Sequence, residues 1–249
     1  MIMKMNKLLI LPLAIMMIYA AAYITSNYSS KAIALSSPPQ CFPVNKDNFT
    51  HSSIIDNPFF PIIPGTTYVF SGNSGVDPQS SVTKITSDTK TILGVKTVVV
   101  NDTSFVNGNV TESTLDWYAQ DNDGNVWYFG EFTTEYLNGV VLNHDGSWQA
   151  GVNGAQAGII MKGNPHVGDF YCQENSPGVA QDQAEVISLG ESVCVAGVCA
   201  HGNVLKTKET TPLEPRVVAE KYYVSGFGLA KEQDVKGSKD SSGLVAVLH

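Results

Sequence analysis

Basic side chains are scarce in this sequence: 15 lysines and arginines stand against 23 aspartates and glutamates, for a formal charge of −8 over 249 residues. Residues 1 to 34 contain Lys4, Lys7 and Lys31 and no acid, so the remainder carries −11. Such an acidic chain repels phosphate backbones, which argues against nucleic acid as a partner. The common catalytic signatures are missing too: there is no nucleophile elbow and no phosphate-cradling glycine loop. His51, His144, His166, His201 and His249 are scattered, and none forms the close-spaced pair of a zinc hydrolase. "DNDGN", residues 121–125, lacks the length and the closing Glu of a calcium loop and reads as a turn. No metal and no cofactor are expected.

Helical text and long apolar runs are equally sparse. Beyond the N-terminus only "SPGVAQDQAEV" could form a helix, with Ser176 as a cap and Pro177 in the first turn. The one long apolar run, "LLILPLAIMMIYAAAYI" from Leu8 to Ile24, follows Lys4 and Lys7 and is charge-free. It fits an export segment, either cleaved near Ala32-Ile33-Ala34 or kept as a membrane-anchoring helix. The expected organisation is a signal peptide or anchor over 1–25, an extended arm over 26–55, and one β domain over 56–249. The chain is then extracytoplasmic, secreted or anchored, and touches membrane only through that segment.

Cysteine is limited to Cys41, Cys172, Cys194 and Cys199, an even number in a chain whose compartment favours disulfides. The preferred pairing is Cys194 with Cys199 across "VAGV", and Cys41 with Cys172 to tie the arm to the core. Asn48, Asn101 and Asn109 each open a glycosylation sequon, and Asn27 opens another beside the apolar run.

What remains is strand vocabulary. Runs such as "TTYVF", "KTVVVND", "TLDWYAQ", "NVWYFGEF", "EVISL", "NVLKTKET", "VVAEKYYV" and "LVAVL" are β-branched or aromatic and are separated by turn residues. Asn107-Gly108, Asp123-Gly124, Asn138-Gly139 and Asp145-Gly146 accept the positive φ angles of tight hairpins. The fold class is therefore all-β: an antiparallel meander, too long to stay flat with open edges, curled into a barrel or bent half-barrel. A two-sheet sandwich is the alternative.

One hairpin, "DWYAQDNDGNVWYFGE", carries an acid at each end of an aromatic stretch. A loop centred on Asp123-Gly124 sets Gln120 opposite Trp127, Tyr118 opposite Phe129 and Asp116 opposite Glu131. Leu115, Trp117, Ala119, Val126, Tyr128 and Gly130 then form an apolar face suited to a core. Asp116, Tyr118, Gln120, Trp127, Phe129 and Glu131 form the other face, aromatic with an acidic end. The turn at Asn107-Gly108 sets Val99 beside Asp116. Opposed carboxylates with Cβ atoms about 5 Å apart need compensation by solvent, a cation or a shared proton.

That second face is the candidate site. As the lining of a cavity it would bind a small apolar or amphipathic molecule on Tyr118, Trp127 and Phe129, with Gln120 beside them and Asp116 and Glu131 at the rim. As a catalytic pair, Asp116 and Glu131 would suit hydrolysis of the glycosidase kind. A domain with no pocket, serving surface interaction, is the third reading. The glycine-rich stretch 146–170, "GSWQAGVNGAQAGIIMKGNPHVGDF", is either a flap over the mouth or bulged strands.

"DWYAQDNDGNVWYFGE", "GSWQAGVNGAQAGIIM", "VGDFYCQENSPGVAQDQAEV" and "KTKETTPLEPRVVAEKYYVSGFGLAKE" resemble, in that order, a family of uncharacterised exported bacterial and archaeal proteins, over roughly residues 56 to 236. The resemblance implies export and transfers no activity and no functional residues. "EKYYVSGFGLAKE" is similar in style to the closing strands of bent-sheet lipoprotein carriers, an analogy of fold alone.

Overall fold

A computed structural model describes residues 38–195 and 197–249. The apolar run, the Ala32-Ile33-Ala34 site and Asn27 lie outside the described residues.

The meander is present, and it closes on itself almost completely. Strands β1 (Thr67–Ser74), β2 (Asp77–Ile92), β3 (Val95–Val106), β4 (Asn109–Gln120) and β5 (Val126–Leu137) follow one another as antiparallel neighbours. Short strands β6 (Val140–Asn143), β7 (Trp148–Gln149) and β8 (Gln156–Met161) all pair with β5. After β9 (Phe170–Cys172) and β10 (Glu174–Asn175), a second meander runs through β11 (Gln183–Val195), β12 (Val198–Thr210), β13 (Val218–Val224), β14 (Gly228–Lys236) and β15 (Ser241–Leu248). β15 pairs with β1 and joins the two halves. At the two ends of the strand order, β9 pairs with β11 and β10 pairs with β8. Only Gln173 separates β9 from β10, so the ring is completed by one short segment of chain.

Turn chemistry follows the text. Asn107-Gly108 and Asn138-Gly139 have positive φ at both residues, as tight hairpin turns require. β2, β8 and β14 lie in text too polar or too glycine-rich to stand out as strands. "SPGVAQDQAEV" is no helix: Ser176 and Ala180 bridge across a turn, and β11 starts at Gln183. The glycine-rich stretch is wall, with Ile159 and Met161 of β8 buried. It is not a flap.

Both expected disulfides are formed, Cys41–Cys172 and Cys194–Cys199. Residues 40–62 pack on the barrel: Gln40 bridges Tyr171, a 3-10 turn spans Lys46–Asn48, and Ile55 and Ile62 are buried in the core. Phe49 meets Trp127 and Phe129 edge-on at 5.9 and 5.8 Å.

Gly158 makes the closure possible. A Cβ there would lie 2.3 Å from the Gln173 carbonyl oxygen, so only glycine lets β8 approach the closing segment. Gly158→Ala is expected to lower stability by about 1–3 kcal/mol through backbone overpacking. Gly190→Ala, where an added Cβ meets nothing within 4 Å, should leave the denaturation midpoint nearly unchanged. Urea unfolding of the two variants checks both.

Candidate functional site

The hairpin places Asp116 opposite Glu131, as its pattern suggests, but by a different route. Nearer the turn the observed pairs are Gln120 with Val126, Ala119 with Trp127, and Tyr118 with Tyr128. That register is one residue off the expected one. A β-bulge at Phe129–Gly130 then adds one residue to β5 and brings Asp116 back opposite Glu131. Gly130 carries it, with φ +125° and an ideal Cβ position only 2.3 Å from the Trp148 carbonyl oxygen. Because side chains alternate with period two, a one-residue offset exchanges the faces.

The expected aromatic face is therefore split. Tyr128, assigned to the apolar core face, joins Tyr118: their rings stack 4.7 Å apart, and the Tyr128 hydroxyl donates to Asp116 Oδ1 at 2.5 Å. Trp127 and Phe129 turn the other way, under the arm. The indole Nε1 donates to Asp121 Oδ2 at 2.8 Å, and Trp127 borders a separate pocket with Phe42, Phe49, Asp121 and Ile159. Gln120 is a fastener, accepting from the backbone N–H groups of Asp56 and Asn57 at 3.0 and 2.9 Å. The register of β3 is also shifted by one, so Val100 rather than Val99 lies beside Asp116. Leu115, expected in the core, is 36% exposed.

Inside the barrel lies a cavity of about 190 Å³. Asp116, Tyr118 and Tyr128 form one wall, with Asp102 and Val100 of β3 beside them; Lys221, Tyr223 and Glu232 of β13 and β14 form the wall across. Phe60, in the segment before β1, meets both sides, with ring centroids 5.4 Å from Tyr118 and 6.4 Å from Tyr223. A second void of about 180 Å³ adjoins the first, sharing Phe70, Thr83, Asp102, Leu229 and Glu232. Glu131 borders neither; its Oε2 accepts from Thr133 Oγ1 at 3.0 Å.

Five carboxyls and a lysine line an otherwise mainly aromatic and aliphatic cavity. Burial pushes Asp116 up to about 7, against the lowering effect of the Tyr128 hydrogen bond and with a further rise from Asp102. Burial raises Glu232 to about 7 and Asp102 and Asp182 to about 6, and holds Glu174 well above the usual carboxylate range. Lys221 is the exception in sign. Burial works against its charge, but Glu209, with Oε2 2.8 Å from the ammonium, and Glu232 raise it well above a normal lysine. Glu209 Oε1 accepts in addition from Thr207, Gln173 and Tyr223.

The remaining candidate residues lie apart from the cavity. His144 Nδ1 lies 3.0 Å from the Thr133 carbonyl and the ring stacks on Phe132; His201 Nδ1 lies 3.1 Å from Ser192 Oγ. Among the described residues no group of three or more His, Cys, Asp or Glu could hold a metal ion. Asn109 is exposed at a hairpin, whereas Asn48 and Asn101 are half-buried. Asp121, Glu174, Asp182, Lys221 and Glu232 escaped the sequence reading. Glu174, Lys221 and Glu232 are charged residues in strands, a pattern common on solvated faces, and Asp121 and Asp182 lie in connecting segments.

No family model and no curated protein sequence matches this chain. Among solved structures it is similar to a protein from Bacteroides fragilis described as exported with a YmcC-like fold: 13% identity, 77% of this chain and 99% of that one, TM-score 0.42. It is also similar to a protein from Parabacteroides distasonis described as a lipoprotein: 13% identity, 76% and 98% covered, TM-score 0.40. Likeness at this distance contributes nothing to the functional reading.

The raised carboxyls set a pH dependence. Unfolded, they would titrate near 3.9–4.3; folded, Asp116 and Glu232 hold their protons to about 7. Between those limits the folded chain binds more protons than the unfolded one, so stability falls as pH rises. The thermal midpoint should be higher at pH 5 than at pH 8, and Asp116→Asn should flatten that slope. Differential scanning calorimetry across the range checks it; a midpoint that rises toward pH 8 would contradict the assignment.

Proposed function

We propose that this is an exported β-barrel protein that binds a small amphipathic molecule inside the barrel without transforming it. The cavity carries the reading: a half-enclosed space with aromatic and aliphatic walls and a few converging polar groups is the usual form of a small-molecule site. Tyr118 is the part of the originally expected face that lines it, now with Tyr128, Tyr223 and Phe60, and Asp116 supplies one polar group. Export is supported by the two disulfides, which persist in oxidising compartments. Kinship with the exported family that the hairpin motif resembles belongs to the same proposal.

Hydrolysis by Asp116 and Glu131 has less support. Two carboxyls that act on one bond must both reach it, and Glu131 lies outside the cavity that Asp116 borders.

Val100, 4% exposed, lines the cavity. Val100→Phe should fill it and abolish the thermal stabilisation that a small-molecule screen produces in the native protein. Trp127→Ala should lower stability by about 3 kcal/mol and leave ligand-dependent stabilisation in place. Loss of stabilisation in Trp127→Ala with retention in Val100→Phe would move the site to the pocket under the arm.

A further inference from the structure

The cavity described above has an unusual charge balance. Asp102, Asp116, Glu174, Asp182 and Glu232 line it, and the lysine among them, Lys221, is already committed to Glu209 at 2.8 Å. Glu174 stands out within this set. It belongs to the closing segment, is 4% exposed, and its Oε2 has no hydrogen-bond partner among the described residues. A buried carboxyl oxygen without a partner is costly to leave so.

The rest of the lining points to the same chemistry. Stacked Tyr118 and Tyr128, with Phe60 and Tyr223, offer π faces that attract cations. Ile62, Ile85, Val100, Ile160 and Leu229 provide a hydrocarbon surface. An anionic ligand would meet five acids and a neutralised lysine, and a neutral hydrocarbon would leave Glu174 unpaired.

Resting on the binding reading above, we propose that the cavity takes a small organic cation, with Glu174 as its principal counter-ion, Asp116 as the second, and the tyrosine rings around its body. Size narrows the class. A cavity of about 150 Å³ accommodates benzene, so about 190 Å³ suits one ring with a short ammonium arm, and the adjoining void gives room for a longer one. Glu174 is faced by Asp182, Glu131, Lys221 and Asp116, and its burial favours the protonated form. Binding a cation therefore displaces a proton from the cluster, and affinity rises with pH.

The test compares three ligands that share a ring and differ in charge. Benzylamine, benzyl alcohol and benzoate are titrated calorimetrically into the purified full-length chain. Benzylamine should bind about tenfold more tightly than benzyl alcohol, and benzoate not at all. Its affinity should rise about threefold from pH 5.5 to pH 7.5, where the amine stays protonated and the carboxyls ionise. Glu174→Gln should bring the amine to within about twofold of the alcohol. If that variant does not fold, by far-ultraviolet circular dichroism, the native pH series and Asp116→Asn decide. Equal affinity for amine and alcohol, or tighter benzoate, would overturn the cation assignment and leave the cavity as a binding site. Binding of none of the three would overturn both.

Discussion

The architecture depends on how the sheet is sealed between Phe170 and Asn175. A meander of this length has two edges, each a row of unpaired backbone groups, and here one short segment satisfies both. Cys172 ends its pairing with β11 and Glu174 begins pairing with β8. At the step between them, the N–H groups of Gln173 and Glu174 both reach the Asp182 carbonyl, at 2.8 and 3.1 Å. The Gln173 amide donates inward to Glu209 and to the Ile160 carbonyl. From outside, the Cys41–Cys172 disulfide and the bonds between Gln40 and the backbone of Phe170 and Cys172 press the arm onto the same segment. Closure is therefore a covalent tie and a handful of hydrogen bonds, concentrated on one residue that belongs to neither strand ladder.

Sealing the ring removes water from carboxyls that an open sheet would leave hydrated. Buried charges need partners, and removing one member of a buried pair costs several times what an exposed pair is worth. The barrel solves this in two ways. Glu209 is matched, by Lys221 and by the donors of Thr207, Gln173 and Tyr223. Asp116 and Glu232 are kept protonated up to about neutral pH instead. The first arrangement is complete in itself. The second leaves groups poised to ionise when something positive arrives, which is how perturbed carboxyls at binding sites commonly behave.

Much of the fold was legible in the sequence because its signals are local. Asn107-Gly108 and Asn138-Gly139 need no knowledge of the rest of the chain to form tight turns, and β-branched runs such as Val98 to Val100 identify themselves as strands. Of three possible disulfide pairings the preferred one is formed; compartment favoured disulfides, and spacing pointed to Cys194–Cys199 alone. The site was only partly legible. Asp116 opposite Glu131 came out correctly because two offsets cancelled: a turn register off by one, and a bulge that restored it. The bulge has a sequence trace in Gly130, but a glycine in a strand is equally consistent with close packing or a bend. What requires glycine there is the Trp148 carbonyl 2.3 Å from the position of the missing Cβ, and Trp148 lies 18 residues away in the chain. Glu174 was less legible still, since its burial depends on both sheet edges meeting.

The bulge has a functional consequence of its own. Without it, the register set at the turn would run on and put Asp116 opposite Gly130, so the bulge is what sets Asp116 opposite Glu131. The offset at the turn, for its part, places Tyr128 beside Tyr118 with its hydroxyl donating to Asp116, and sends the indole of Trp127 outward to Asp121. A tyrosine so placed both stacks and hydrogen-bonds, so the cavity wall holds its acid in one position while presenting a π face beside it. A phenylalanine in the place of Tyr128 would offer Asp116 no donor. A one-residue offset at the turn thus decides which rings face the cavity, and the bulge beyond it decides which acid stands opposite Asp116.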